Sequence, residues 1–245
     1  MIEPDLSDRV ALITGSAKGL GRRLALSLAE CGADVAVQYR RSEAAATEVV
    51  EEAREFGVDA HAFAADVTDP PEVDDCFDAI GDVLGTVDIL VNNVGAFAPR
   101  HWEELSYTTW RTVMETNLDA TYLCSRAALP GMREADFGRI VNIGYASSEK
   151  GLVSPKNFPY FAAKSGVIMF TRMLAADTQD RDITVNAVSP YVIENSDEFP
   201  ADLPRDRPAS FADVTQAVLF FLEEGSGYLS GQNVEVSGGW LPERV

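Results

Sequence analysis

The sequence predicts a single-domain α/β fold, a doubly wound parallel sheet of about seven strands with helices on both faces. Three observations carry that expectation. Short apolar runs recur along the chain, amphipathic stretches of helical period separate them, and no repeat, low-complexity tract or shift in composition marks a domain boundary. Strands that are apolar throughout need cover above and below, which a parallel sheet between two helical layers provides.

The first run, Arg9 to Thr14, closes on Gly15, and the amphipathic stretch from Gly19 to about Cys31 follows as a helix. Asp34 to Tyr39, after Gly32, is the second strand, and Glu43 to Phe56 the next helix. Ala60 to Ala64 is a third strand before a helix that begins near Pro70, where Pro71 and Glu72 suit a first turn. Val87 to Val91 and Arg139 to Ile143 make the fourth and fifth strands, the latter flanked by long helices at about Trp102 to Met132 and about Phe158 to Thr178. Ile183 to Val188 and Val234 to Val236 complete the sheet, with a helix at Phe211 to Leu222 between them. The irregular stretch 191–210 is acidic and proline-rich. It is expected to form a short lid at the carboxyl edge of the sheet, where ligands of such folds bind.

Composition narrows the partners. The 245 residues carry 39 acidic and 20 basic side chains, a formal charge of -19. A nucleic-acid groove or an anionic membrane surface would repel such a chain. Only Lys18, Lys150, Lys156 and Lys164 are lysine, a balance that fits a protein adapted to concentrated salt, where screening shortens to about 3 Å at 1 M. No apolar run reaches membrane-spanning length and Met1 to Asp5 lacks the pattern of a signal peptide, so a cytoplasmic location is expected. Cys31, Cys76 and Cys124 lack CxxC spacing, and His61 and His101 are the only histidines, so neither a disulfide framework nor a metal site is expected.

Thr14-Gly15-Ser16-Ala17-Lys18-Gly19-Leu20-Gly21 joins the first strand to the first helix. Glycines there let the backbone approach a pyrophosphate, and the helix N-terminus offers unpaired N–H groups to its charge. Farther along stand Asp66-Val67, Asn92-Asn93-Val94-Gly95, Asn117, Tyr160-x-x-x-Lys164, Ser189-Pro190, Gly231-Gln232 and Gly238-Gly239-Trp240. Together these motifs make essentially the whole chain resemble the short-chain dehydrogenase/reductase family, with most likeness to its 3-oxoacyl reductases.

That resemblance implies a Rossmann fold and a nicotinamide dinucleotide. It implies that Gly15, Ser16, Lys18, Gly19, Leu20 and Gly21 hold the pyrophosphate, that Asp66 and Val67 line the adenine, and that Asn93, Val94, Gly95, Pro190 and Val192 lie beside the cofactor. Asn92 reads as more structural. The second strand ends Tyr39-Arg40-Arg41-Ser42, with Tyr39 where NAD-preferring relatives carry an acid. With no carboxylate to repel a 2'-phosphate, a guanidinium to fork onto it, Lys18 as a second positive contact and Ser42 as a hydrogen-bond donor, the expected cofactor is NADPH.

Tyr160 and Lys164 are four apart on a helix and so share a face, where an ammonium is expected to lower the phenol's ordinary pKa of about 10. By resemblance, Lys164 also holds the nicotinamide ribose, Asn117 anchors a relay water, and Tyr160 protonates the alkoxide that forms as hydride arrives. The serine that relatives place after the fifth strand is replaced by Tyr145, and the loop to Tyr160 is about two residues longer. Ser147 and Tyr145 are equal candidates for the carbonyl's hydrogen-bond donor. Tyr191 replaces the glycine after Ser189-Pro190, and Glu194 or Asn195 stands near the usual threonine. Tyr191 lining the pocket and Tyr191 simply packing are both open.

The function expected is an NADPH-dependent carbonyl reductase acting on a small-molecule ketone, foremost a 3-oxoacyl thioester. The acidity makes docking of an acidic carrier protein unfavourable and points toward coenzyme A thioesters or free carbonyls. The alternatives are a pteridine-type reductase, since some relatives that reduce a ring imine lack the serine, and a non-catalytic NADPH sensor, against which the joint presence of Asn117, Tyr160 and Lys164 counts. A homotetramer is expected by resemblance.

Overall fold

The computed structural model describes residues 2–240 apart from 152, 153 and 197. The sheet contains β1 (Val10–Ile13), β2 (Asp34–Tyr39), β3 (Ala60–Ala64), β4 (Ile89–Asn92), β5 (Phe137–Ile143), β6 (Asp182–Pro190) and β7 (Asn233–Val236). All its pairings are parallel, in the order β3-β2-β1-β4-β5-β6-β7. The chain winds outward from β1 to β3, then crosses back to β4 and winds the other way. The strand order therefore reverses between β1 and β4, and a crevice opens there at the carboxyl ends.

Helices α1 (Gly19–Glu30), α2 (Glu43–Arg54) and α7 (Phe211–Leu222) bury their apolar stripes on one face against Ile13, Val35, Val37, Val91 and Val141. On the other face α3 (Pro70–Val83), α5 (Ala120–Ala135) and α6 (Phe158–Asp177) cover Leu12, Leu90, Ile140 and Val185. Neighbouring strand residues such as Leu12 and Ile13 thus feed two different cores, as the pleat requires. The unbroken apolar runs of the sequence follow from burial on both sides.

One expected element is divided. The single helix anticipated at about Trp102 to Met132 is a 3-10 turn at Trp102–Glu104, α4 (Tyr107–Met114), a π turn at Glu115–Asp119 and then α5. Ser106 starts α4 by accepting the N–H of Thr109 at 3.0 Å. In the π turn the Asn117 side chain donates to the carbonyls of Val113 (2.9 Å) and Ala96 (2.8 Å), which draws it inward.

The described residues of 191–210 follow no regular element beyond a bridge between Ile193 and Ala209 and a 3-10 turn at Pro204–Asp206. The Glu194 carboxylate accepts the N–H of Phe211 at 2.6 Å, and a capping box of Ser210 and Asp213 starts α7.

A buried polar chain crosses the centre of the fold. Asn92 on β4 donates to Asn142 on β5 at 2.8 Å and to Ser125 on α5 at 3.1 Å, and Asn142 donates to Thr171 on α6 at 2.9 Å. Asn92 thus ties β4 to β5 and α5. Removing one member strands the others away from water. Asn142→Leu should lower the unfolding free energy by about 3 kcal/mol, read as a lower urea midpoint with an unchanged slope.

Candidate active site

The turn after β1 lies directly over the crevice. The Thr14 hydroxyl accepts the backbone N–H groups of Asn93 (2.9 Å) and Val94 (3.1 Å), and the Asn93 amide donates to the Thr14 carbonyl at 2.9 Å. Gln38, buried in β2, accepts the Gly15 N–H at 2.8 Å through its side chain and the Ser16 N–H at 3.0 Å through its carbonyl. Its amide donates to Ala65 at 2.7 Å, so one side chain ties the turn to β2 and to the segment after β3. Nothing in the residue type of Gln38 had singled it out.

This turn fits a pyrophosphate. A Cβ on Gly21 would stand 2.4 Å from the Gly15 carbonyl and 2.8 Å from the Asn93 amide, so the close approach admits only glycine. The first turn of α1 has no acidic residue and its N-cap, Lys18, makes no side-chain cap. In so acidic a chain, an uncapped, acid-free helix start leaves its N–H groups and dipole for an anion.

A cleft of about 390 Å³ opens from this turn. Of the residues expected at the site, Lys18, Gly19, Leu20, Gly21, Asn93, Gly95, Asn117, Tyr145, Tyr160, Lys164, Pro190 and Val192 line it. Gly15, Ser16 and Val94 belong to the two turns but are not part of the lining. Tyr39, Arg40, Arg41 and Ser42 stand at the carboxyl end of β2 beside Asp66, apart from the lining. Tyr39 packs against the first core and Val67 is buried in the second. Arg40 pairs with Asp66 at 3.1 Å. Partial burial raises the Asp66 carboxyl, but hydrogen bonds from Thr68 and the Arg40 guanidinium prevail and hold it below the usual range.

At the far end of the cleft Lys164 is buried and donates to the Ile143 carbonyl at 2.7 Å. Its ammonium lies 5.7 Å from the centre of the Tyr160 ring. Burial draws Lys164 down to about 8 and pushes the Tyr160 hydroxyl above the ordinary phenol range. The expected lowering of the phenol by its neighbour does not appear: burial is the one cause of the upward shift, and the ammonium is bonded to the Ile143 carbonyl. Asn117 is fully buried, and its Oδ1 has no partner among the described residues. A Cβ on Gly95 would meet that oxygen at 2.4 Å and the Lys164 Nζ at 3.4 Å, so Gly95 leaves the gap between the two polar groups open. An unpaired acceptor facing that gap suits a bridging water.

The two serine-slot candidates part company. Tyr145 lines the cleft with its ring 5.5 Å from that of Tyr160. Ser147 is fully buried in a left-handed conformation (φ 65°), its N–H donated to Glu235 at 2.9 Å, and it is not part of the cleft wall. Tyr191 also lines the cleft, joined by Phe97, Ile143, Gly144, Ile193, Ser196 and Glu198, which the motifs did not mark. No helix among the described residues is long and apolar enough to cross a membrane.

The model of the short chain dehydrogenase family matches residues 9–201. The 3-oxoacyl-[acyl-carrier-protein] reductase FabG of Staphylococcus aureus is 35% identical over 240 residues, 94% of this chain and 96% of that one. FabG of Aquifex aeolicus is 32% identical over 248 residues, 97% and 99% of the two chains. Among solved structures, acetoin dehydrogenase YohF from Salmonella typhimurium superposes with a TM-score of 0.87 at 30% identity, over 97% of this chain and 98% of its own. The chain belongs to the short-chain dehydrogenases and is an oxidoreductase of that family.

Lysine is scarce enough for Lys164 to be observed directly. In protein carrying 13C-labelled lysine, the resonance lost in Lys164→Arg should titrate near pH 8, charged below and neutral above. Titration at the ordinary lysine value of about 10.4 would contradict the burial described.

Proposed function

We propose that the protein is an NADPH-dependent carbonyl reductase whose substrate is a ketone, foremost a 3-oxoacyl thioester. The observation that carries this reading is the meeting of Tyr160, Lys164 and Asn117 on one wall of a cleft that begins at an uncapped helix N-terminus. The relatives named as 3-oxoacyl reductases support the substrate class.

A bound NADPH would supply the hydride. Tyr160, whose proton burial retains at neutral pH, gives that proton to the oxygen as it becomes an alkoxide. Lys164 holds positive charge beneath the ring below about pH 8, and the proton that Tyr160 gives up returns through Lys164 and a water on the Asn117 carbonyl oxygen. The Tyr145 hydroxyl takes the place of the usual serine as donor to the carbonyl, since Tyr145 lines the cleft and Ser147 does not. Tyr145→Phe should lower kcat about a hundredfold, and Ser147→Ala should change it less than about threefold. The opposite order would reassign the donor.

Arg40 and Arg41 supply positive charge where a 2'-phosphate would lie, and Tyr39 offers no carboxylate against it. The pairing of Arg40 with Asp66 fixes one guanidinium at that edge. Arg40→Asp would place two carboxylates together there. The ratio of kcat/KM for NADPH over NADH should fall by about tenfold to a hundredfold, the scale of a lost charge-assisted contact. An unchanged ratio would sink the NADPH assignment.

A homotetramer in the cytoplasm belongs to the same proposal. Its support is an apolar surface on neighbouring helices, where Tyr122 of α5 and Met169 and Met173 of α6 are exposed. The acid-rich, lysine-poor composition supports adaptation to salt.

A further inference from the structure

The cleft's reacting end is walled by rings. Phe97 meets Tyr160 edge-on at 5.1 Å and 80°, and Tyr145 meets Tyr160 at 5.5 Å and 75°. Tyr191 continues the arc 6.2 Å from Tyr145. Behind it, Trp240 stacks flat on Tyr191 at 3.8 Å and 9°, with its backbone N–H donated to the Ser237 carbonyl at 3.0 Å. Four of these rings, Phe97, Tyr145, Tyr160 and Tyr191, line the cleft, and each is incompletely buried. Rings packed for stability alone would be closed into a core. These line the space beside Tyr160.

The charges of the wall point the same way. Its positive groups among the described residues are Lys18, in the phosphate turn, and the buried Lys164. At the lid the charged wall residue is Glu198, beside Asn195 and Ser196. An anionic substituent reaching toward the lid would face that carboxylate.

We infer that the group attached to the reacting ketone is an uncharged aromatic ring, held by the arc from Phe97 to Tyr191, so that the substrate class is an aryl ketone and, on the reading proposed above, an aryl 3-oxoacyl thioester. A flat substituent gains edge-to-face and offset contacts that an alkyl group of similar area does not. The Tyr191–Trp240 stack holds one end of the arc in place, so the contacts need little ordering on binding.

The test compares two N-acetylcysteamine thioesters that differ only in the ketone substituent, benzoylacetyl and acetoacetyl, with NADPH as reductant. Wild-type protein should prefer the benzoylacetyl thioester in kcat/KM by about tenfold, and Tyr191→Leu and Phe97→Leu should each bring the ratio toward one. A wild-type ratio near one, or a ratio preserved in both variants, overturns the inference. A structural defect alone would depress both substrates and leave the ratio intact. Calorimetric binding of acetophenone to protein loaded with NADP+ separates the two layers of the argument. If neither thioester is reduced but acetophenone binds and both variants weaken it, the 3-oxoacyl reading falls and the aromatic site stands. If acetophenone does not bind and neither thioester is reduced, both fall.

Discussion

Everything at the site depends on how closely two backbone turns approach each other at the reversal of strand order. The Gly15 carbonyl comes so near Gly21 that one added carbon would stand 2.4 Å away. That contact sets α1 against β1, which directs the helix N-terminus into the crevice. Thr14 and Asn93 lock the second turn, after β4, against the first with three hydrogen bonds. The position of Gly95, and with it the gap between Asn117 and Lys164, follows from that lock. Local chain stiffness, hydrogen bonding and anion affinity thus share one geometric cause.

The reacting end spends stability to obtain its chemistry. Burying Lys164 opposes its charge and burying Tyr160 opposes loss of its proton. The Lys164 bond to Ile143 offsets part of that cost and fixes the ammonium beneath the ring instead of at the hydroxyl. Burial thus favours the protonated phenol and the neutral lysine. On the function proposed above, such a pair suits a donor refilled from behind better than a permanent phenolate. The charge arithmetic also becomes intelligible: in a chain of net charge -19, the helix start that faces the crevice is kept free of acids.

Most of the fold was legible because its strands are apolar on both faces and its punctuation is glycine and proline. Asp34–Tyr39, Ala60–Ala64 and Phe211–Leu222 lie where periodicity placed them. The π turn was not legible, since Glu115–Asp119 continues an amphipathic pattern and departs from it only through the bonds of Asn117 to Ala96 and Val113. At the site, glycine spacing and the Tyr160–Lys164 interval were visible because each encodes a local geometry. Gln38 was invisible: its role arises from three partners on separate segments. The choice between Tyr145 and Ser147 was also beyond one-dimensional reach, because loop length alone does not say which residue turns toward the cleft.

The departures from the family's motifs are connected. The loop that carries Tyr145 is pinned by Glu235, which accepts the Ser147 N–H at 2.9 Å and pairs with Lys150 at 3.3 Å. Tyr191 lies within ring contact of Tyr145, and Trp240 stacks on it. A hydroxyl carried on a ring reaches farther than one on a serine, so the point at which a carbonyl is held moves outward by the size of that ring. On the function proposed above, an arc of aromatic groups would do two jobs at once: the Tyr145 hydroxyl would stand in for the serine's, and the rings shape the space beside it. Changes that look like separate losses of motif residues become one coordinated rebuilding of the wall against which the reacting ketone would rest.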